Sequence, residues 1–370
     1  MRDIKKIICC ILTIFMITSI VACKKGKEKE EEAKSEKDSF DIKIATNIVE
    51  TYMGYMVEND MESAKKLYSK ELAKKNKATI ETDLKIFGFK MDEVNEVGKS
   101  GVFKIRVTKA TTDKPSATLD MYNIKIEKEE NEYKIKEINS MTEKDAFFEE
   151  DALRIRDKNN VKTNLLIDKS GIPQYTYSKD DKAQVNKTPV PKGNFGVIDF
   201  SYSGERIGIS TYDKDSYIAV VKIDETQATQ GSGADGGAGG ASGGGQGQQG
   251  GSKSKVRETP VGKEITSIDY IKDCKIELLT FSLEEKFILV QYDKGQLGKS
   301  LRLYDTDSGD LIPVSFEEKF PIGKVNVVFS SFGKDVLTFE VNETKNTTKS
   351  ESQLIGKWQI DLKEYNVKKL

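Results

Sequence analysis

Apolar residues recur at helical spacing in the region that follows the N-terminal segment of the chain. Ile44, Ile48 and Tyr52 are four residues apart, and the series continues through Tyr55 and Met56. This spacing puts the apolar side chains on one face, which is typical of an amphipathic helix packed on a core. The pattern therefore predicts a helix that begins near residue 44.

A second helix and at least three strands are predicted to follow. Asp60 is a candidate N-cap for the second helix. Its inner face would carry the apolar residues Ala64, Leu67, Tyr68 and Leu72. After about residue 88 the period of the apolar positions changes to two, which is typical of strands. The alternating apolar residues are Phe103, Ile105, Val107, Tyr122, Ile124, Ile126, Tyr133 and Ile135. This order predicts an α+β domain over residues 41–142, with helices on an antiparallel sheet.

The predicted order resembles the nuclear transport factor 2-like family. The likeness rests on the helix phrase from Tyr55 to Leu72 and on the hairpin Ile124–Ile138, where Asn-Glu-Tyr-Lys-Ile stands in place of a common Gly-x-Trp-Lys-Ile. The resemblance implies a cone of helices packed into a curved sheet. Enzymes of this family commonly use an Asp-His pair, which a chain without histidine cannot form. The resemblance therefore implies a binding or spacer module, with either a filled core or a small apolar ligand in the cone.

The second half of the chain contains an internal repeat. Phe200, Phe281 and Phe329 each begin a phrase of Phe-Ser, a short polar turn and an apolar strand, at spacings of 81 and 48 residues. The difference is close to the length of a glycine-rich insert over residues 225–256. A second series of Asp residues closes apolar strands at spacings of 56, 81 and 56 residues: Asp168, Asp224, Asp305 and Asp361.

The repeats resemble TolB-type and WD-repeat-like β-propeller blades, whose common phrase is Phe-Ser, a glycine turn, an apolar strand and a closing Asp. The resemblance implies an all-β, propeller-like domain over residues 146–370. We expect about four repeats, of which the first lacks the Phe-Ser element. That number fits either a small ring or an incomplete one.

The N-terminus carries a targeting pattern. Arg2, Lys5 and Lys6 precede 15 apolar or small residues over 7–21, fewer than the about 18–20 that span a bilayer. The segment ends in Ile-Val-Ala-Cys at Cys23, which resembles the bacterial lipobox. The resemblance implies a signal peptide over residues 1–22 and a diacylglyceryl group on Cys23. An ordinary secretory signal or a short membrane anchor is the alternative.

Residues 23–40 are highly charged and predict a solvated tether between the lipid and the folded part. Two acyl chains hold a protein stably at a membrane, so the membrane is one predicted partner. The predicted location is extracytoplasmic, on the outer face of the cell membrane. Lysine outnumbers arginine 52 to 7, which together with the lipobox suggests a Gram-positive bacterium.

Composition narrows the chemistry. The 370 residues include 59 Lys+Arg, 60 Asp+Glu and no histidine. Ser-His-Asp and Cys-His catalysis and His-ligated zinc are therefore excluded. The balanced charge gives no case for nucleic-acid binding. Without the signal peptide and with lipid on Cys23, only Cys274 remains as a thiol, which predicts no intramolecular disulfide and favours a buried, structural Cys274.

Three short motifs are interpreted as coincidental. Residues 231–236 match a dinucleotide fingerprint and residues 240–244 match a nucleophile elbow, but both lie in the glycine-rich insert without a following helix. The acidic run from Asp305 to Asp310 lacks the glycine and the final carboxylate of a calcium loop, because Phe316 stands at position twelve. No catalytic, cofactor or metal residue is assigned.

We therefore expect a non-enzymatic, membrane-anchored binding or scaffold protein that contacts a protein or an envelope polymer. The alternative is an envelope- or spore-associated hydrolase that uses carboxylates only, because glycosidase chemistry needs two acids. A transporter receptor is disfavoured, because the chain lacks alternating β-α units.

Overall fold

The computed structural model describes residues 40–75, 83–129, 132–158, 162–226 and 258–370. The predicted signal peptide, Cys23, nearly all of the tether and nearly all of the glycine-rich insert lie outside these ranges. Within them, no helix combines the length and the hydropathy needed to cross a bilayer.

Three helices open the described chain: α1 (Ile42–Val57), α2 (Met61–Lys66) and α3 (Lys70–Lys75). The predicted cap is confirmed, because the Asp60 carboxylate accepts the Ser63 N–H at 3.0 Å. The predicted second helix is two short helices. Ser69 N–H donates to the carbonyl of Ile135 and Ile135 N–H donates to that of Leu67, both at 2.9 Å. These bonds to a neighbouring strand divert the backbone from the helical pattern.

The helices pack against a six-stranded antiparallel sheet in which each strand pairs with the next. Its strands are β1 (Lys85–Val97), β2 (Ser100–Ala110), β3 (Ser116–Glu129), β4 (Glu132–Glu149), β5 (Ala152–Asp157) and β6 (Asn164–Asp168). The predicted alternation in β2 is confirmed, because Phe103, Ile105 and Val107 are fully buried. The sequence did not predict β1 as a strand.

The junction placed by the sequence between residues 142 and 146 falls inside β4. The first predicted repeat, which closes at Asp168, lies in β5 and β6 of the same sheet. Strand β3 is buried on both faces: Ile124 packs in the core under the helices, whereas Leu119 packs in a core shared with the following strands. The N-terminal and C-terminal parts are therefore joined by a common sheet and a common core.

Three further antiparallel meanders follow a short pair, β7 (Tyr175–Thr176) and β8 (Thr188–Pro189). The first meander is β9 (Asn194–Phe200), β10 (Arg206–Tyr212), β11 (Ser216–Ile223) and β12 (Gly262–Ile271). The second is β13 (Lys275–Phe281), β14 (Phe287–Asp293) and β15 (Lys299–Asp305). A single helical turn, α4 (Phe316–Lys319), precedes the third: β16 (Val325–Phe332), β17 (Val336–Glu343), β18 (Gly356–Asp361) and β19 (Val367–Lys369). The chain is thus mostly β, and its curled antiparallel sheets succeed one another as blades do.

The sheets pack in sequence. Strand β9 contacts β2 and β3 of the first sheet and β13 of the second meander, and β15 contacts β16 of the third. The last meander shares a core around Phe320 and Phe339 with the second meander, which contributes Leu289 and Leu301. Strand β1 of the first sheet also contacts β13, so the first sheet meets the second meander as well as the first.

The repeat has a physical basis in its turns. Ser201 and Ser282 occupy equivalent positions, and the hydroxyl of each accepts the N–H that opens the next strand, at 3.2 and 3.0 Å. Each closing Asp accepts backbone N–H groups two or three residues later: Asp168, Asp224, Asp305 and Asp361. Such Asx turns end a strand and reverse the chain. The predicted strand ends are therefore confirmed.

Candidate functional site

A cleft of about 370 Å³ opens where β1 of the first sheet faces β13 and β16 of two later meanders. We call it the three-strand cleft. Its volume lies within the range of about 300–1,000 Å³ that is usual for small-molecule sites.

Each of the three strands carries a β-bulge at the cleft. The bulges fall between Ile86 and Gly88 in β1, between Ile276 and Leu278 in β13, and between Phe329 and Ser331 in β16. A bulge leaves one extra residue unpaired and re-aims its side chain. The extra residues are Phe87, Glu277 and Ser330, and all three line the cleft.

The bulges also put consecutive residues on the same surface. In a regular strand, neighbouring side chains point to opposite faces. Here Ile86 and Phe87 both line the cleft, as do Glu277 and Leu278. The apolar side of the cleft consists of Val57, Ile86, Phe87, Leu278 and Phe329.

The polar side of the cleft carries three lysines and one glutamate. Glu277 accepts from Lys299 Nζ at 2.8 Å and from Gln291 Nε2 at 3.0 Å. The other end of the Gln291 amide accepts the Phe329 N–H at 2.9 Å, which ties β14 to β16. The Glu277 carboxylate and the Gln291 amide are therefore already occupied by the protein.

The remaining two lysines of the cleft are exposed and lie at strand starts. Lys85 is the first residue of β1 and Lys275 is the first residue of β13. Across the described ranges, neither ammonium group has a hydrogen bond or an ion pair. The hydroxyl of Thr112, which also lines the cleft, likewise has no hydrogen bond within the described ranges. Counted over the described lining residues, three lysines and one glutamate give the cleft a formal charge of +2.

A second polar cluster is buried, and its charged groups bind one another. Arg302 of β15 donates to Asp269 of β12 at 2.9 Å, and its other nitrogen donates to Asp180 at 2.8 Å and to Glu317 at 3.1 Å. Tyr304 donates to Asp269 at 2.6 Å. Burial and the neighbouring carboxylate raise the pKa of Tyr304 well above its usual value. We call this set the Arg302 network, and it cross-links the first two meanders.

One carboxyl pair meets part of the requirement of the hydrolase alternative. Asp157 and Glu225 both bind Lys144 Nζ at 2.6 Å. Burial raises the pKa of Glu225, while the hydrogen bonds from Glu225 and Lys144 outweigh burial and lower the pKa of Asp157. Both carboxyl groups are engaged by the same Lys144 ammonium, whereas a retaining glycosidase holds its two carboxyl groups about 5–5.5 Å apart on either side of the scissile bond. Neither lines the three-strand cleft.

The structure separates the residues that the sequence singled out. Cys23 and both glycine motifs lie outside the described residues. Cys274 is buried, and burial raises the pKa of its thiol to about 11. In the acidic run, Asp305 is engaged by backbone N–H groups, Asp307 by Arg206 at 2.7 Å and Asp310 by Lys179 at 3.4 Å. In the described part of the chain, no group of three Cys, Asp or Glu residues has the geometry to hold a metal ion.

Sequence analysis did not assign the residues of the three-strand cleft to a site, although it named Phe329 as the start of a repeat. Lys85, Lys275 and Phe329 come from strands that are far apart in the chain, and lysine is abundant throughout. The available signal was a break in alternation at each bulge, and that signal alone does not distinguish a site from a turn.

Comparisons with known proteins give fold-level likeness to solved structures only. No family model and no curated protein sequence matches the chain. An acylaminoacyl peptidase from Pyrococcus horikoshii is 9% identical over 76% of this chain and 32% of its own, with a TM-score of 0.29. TolB from Acinetobacter baumannii is 8% identical over 72% of this chain and 57% of its own, with a TM-score of 0.29. The chain thus covers less than two thirds of either protein.

The Cps50 (Swd1) β-propeller domain from Myceliophteria thermophila is 9% identical over 69% of this chain and 80% of its own, with a TM-score of 0.25. Superpositions with such TM-scores are loose. The description of successive antiparallel sheets therefore rests on the strand pairing of this chain.

Proposed function

We propose that this chain is a non-enzymatic binding protein, anchored by lipid on Cys23 to the outer face of a cell membrane, and that it contacts its ligand or partner through the three-strand cleft. The lipobox pattern and the charged segment 23–40 support the anchor and the tether. The contact would be with a protein or an envelope polymer.

One observation carries the choice of site. Three bulges from three separate strands converge on a single cleft, and each turns its extra residue into it. Bulges are common beside functional sites because they re-aim side chains at the cost of regular pairing. The polar lining includes two unpaired lysines, the Thr112 hydroxyl and a carboxylate already bound by Lys299 and Gln291, which suits binding better than proton transfer.

Proximity labelling from the full chain on living cells tests the proposal. The labelling enzyme would be fused after Leu370, and the wild type would be compared with a Lys85→Gln/Lys275→Gln variant. We expect a reproducible envelope neighbour that labels less strongly with the variant. A neighbour list unaffected by the variant would refute the role of the cleft, and no neighbour would refute the binding function.

The anchor has a separate test. Mass spectrometry of the membrane-extracted protein should show a chain that begins at Cys23 and carries a diacylglyceryl group. A Cys23→Ser variant should leave the membrane fraction or remain unprocessed. An unmodified Cys23 in the wild type would refute the anchor.

A further inference from the structure

We infer that the three-strand cleft binds an amphipathic anion: an apolar chain or ring with one carboxylate or phosphate group. This inference rests on the proposed function and names its ligand class. It follows from the charge, the free donors, the apolar side and the size of the cleft.

The charge of the cleft is unbalanced in the structure. Among the described residues, Glu277 is the one carboxylate that lines the cleft, and it is bound by Lys299 at 2.8 Å and by Gln291 at 3.0 Å. Lys85 and Lys275 then have no carboxylate of their own in the described chain. An anion between these two ammonium groups would neutralise the excess, and the free hydroxyl of Thr112 could donate to it.

The apolar side of the cleft sets the second requirement. Leu278 of β13 and Phe329 of β16 are half-buried and line it, next to the buried Phe87 of β1. A small inorganic anion would leave this surface in contact with water, whereas a wholly apolar ligand would bury the ammonium groups without partners. A molecule with both an apolar part and an anionic group satisfies both sides.

The two free cations of the cleft are lysines and not arginines, and this affects which anions the cleft can bind. An ammonium group is a point charge with rotatable donors, so it does not select a planar, bidentate acceptor. The cleft therefore accepts either a carboxylate, as in a fatty acid or a peptide terminus, or a phosphate, as in a lipid headgroup. These sources share the chemistry that the site recognises, and the test separates them.

The experiment uses the full chain in lipid nanodiscs and three soluble probes that share one apolar group. The probes are 4-phenylbutyrate, 4-phenylbutyl phosphate and the neutral 4-phenylbutan-1-ol, measured by isothermal titration calorimetry against empty nanodiscs. We expect one or both anions to bind at least tenfold more tightly than the alcohol. The anion that binds more tightly shows whether the cleft prefers a carboxylate or a phosphate.

Substitutions then locate the binding. The variant Lys85→Gln/Lys275→Gln should weaken anion binding roughly five- to thirty-fold, the range for two partly exposed charge contacts, and leave the alcohol unchanged. The matched control Lys334→Gln/Lys368→Gln removes the same charge from exposed lysines outside the cleft and should bind as the wild type does. Val57→Asn should weaken all three probes.

Three results would overturn the inference: equal binding of the alcohol and the anions, equal loss in the control variant, or binding of none of the probes. Labelling on cells keeps this failure distinct from failure of the proposed function. If labelling finds a neighbour that depends on Lys85 and Lys275 while no probe binds, the cleft binds a macromolecule and only the ligand class is wrong.

Discussion

The Arg302 network should be the most sensitive point in the fold. Asp269 is fully buried and its carboxylate accepts four hydrogen bonds. Two come from the side chains of Arg302 and Tyr304, and two come from the backbone N–H groups of Lys179 and Tyr270, at 2.8 and 2.7 Å. Replacing Asp269 by Ala leaves all four donors without this acceptor.

The cost follows from what remains around Arg302. Its side chain is 8% exposed, and its other partners, Asp180 and Glu317, are 58% and 36% exposed. Removing one member of a buried ion pair typically costs about 3–5 kcal/mol. Because whole domains are stable by about 5–15 kcal/mol, Asp269→Ala should remove a large part of the free energy of unfolding.

The partner substitution should cost a comparable amount. In Arg302→Met, Asp269 keeps Tyr304 and the two backbone donors but becomes a fully buried carboxylate without a cationic partner. We expect the double variant Asp269→Ala/Arg302→Met to be more stable than Asp269→Ala alone by at least about 1.5 kcal/mol, since it removes the buried guanidinium together with the buried carboxylate.

Urea unfolding followed by circular dichroism measures all three variants. A control removes an ion pair of similar distance on the surface: Glu93→Ala breaks the 2.8 Å contact with Lys104, whose side chain is 42% exposed. This control should leave the unfolding midpoint unchanged. A loss below about 1 kcal/mol for Asp269→Ala, or a double variant less stable than it, would refute the reasoning.

Three further predictions follow from single residues. Burial raises the pKa of Asp199 well above its ordinary 3.8, so ionisation opposes folding and the wild type should lose stability as the pH rises above about 4. Asp199→Asn should remove this loss, and parallel stability curves from pH 4 to 8 would contradict it. The Cys274 thiol, with its pKa at about 11, should react with a thiol reagent at pH 8 far more slowly in the native chain than in urea, and equal rates would exclude the buried state. Gly309 has φ +71°, and an added Cβ would lie 2.6 Å from the Ser267 carbonyl oxygen. Gly309→Ala should therefore destabilise by at least about 1–2 kcal/mol, whereas Gly54→Ala, in a helix with open space, should stabilise by about 0.5–1 kcal/mol; equal effects would contradict the steric argument.

Local interactions were the part of the fold that could be predicted from the sequence. The Asp60 cap spans three residues, and the turns after Asp305 and Asp361 close within three residues. Such contacts depend on neighbours in the chain, so they leave a pattern in it. The alternation of β2 was equally legible because only one of its faces packs under the helices.

Contacts between the first sheet and the following meanders could not be predicted from local sequence patterns. Strand β3 has helices on one face and β9 on the other for part of its length, so Leu119 and Tyr122 are both buried although they point to opposite sides. The sequence suggested a boundary where the helical module ends, near residue 142. Strand β4 continues beyond residue 142 because its far half packs against the next sheet, where Phe148 contacts Phe195.

The three-strand cleft and the missed strand have the same cause. Strand β1 has bulges between Ile86 and Gly88 and between Met91 and Glu93, which break its period of two and conceal it from a search for alternation. The first of these bulges is also the one that turns Phe87 into the cleft. In a regularly paired strand, alternate side chains point to opposite faces. A strand that directs neighbouring side chains into one cleft must therefore depart from regular pairing. In this fold, the irregularities that weaken a sequence-based assignment are therefore the positions at which to look for binding.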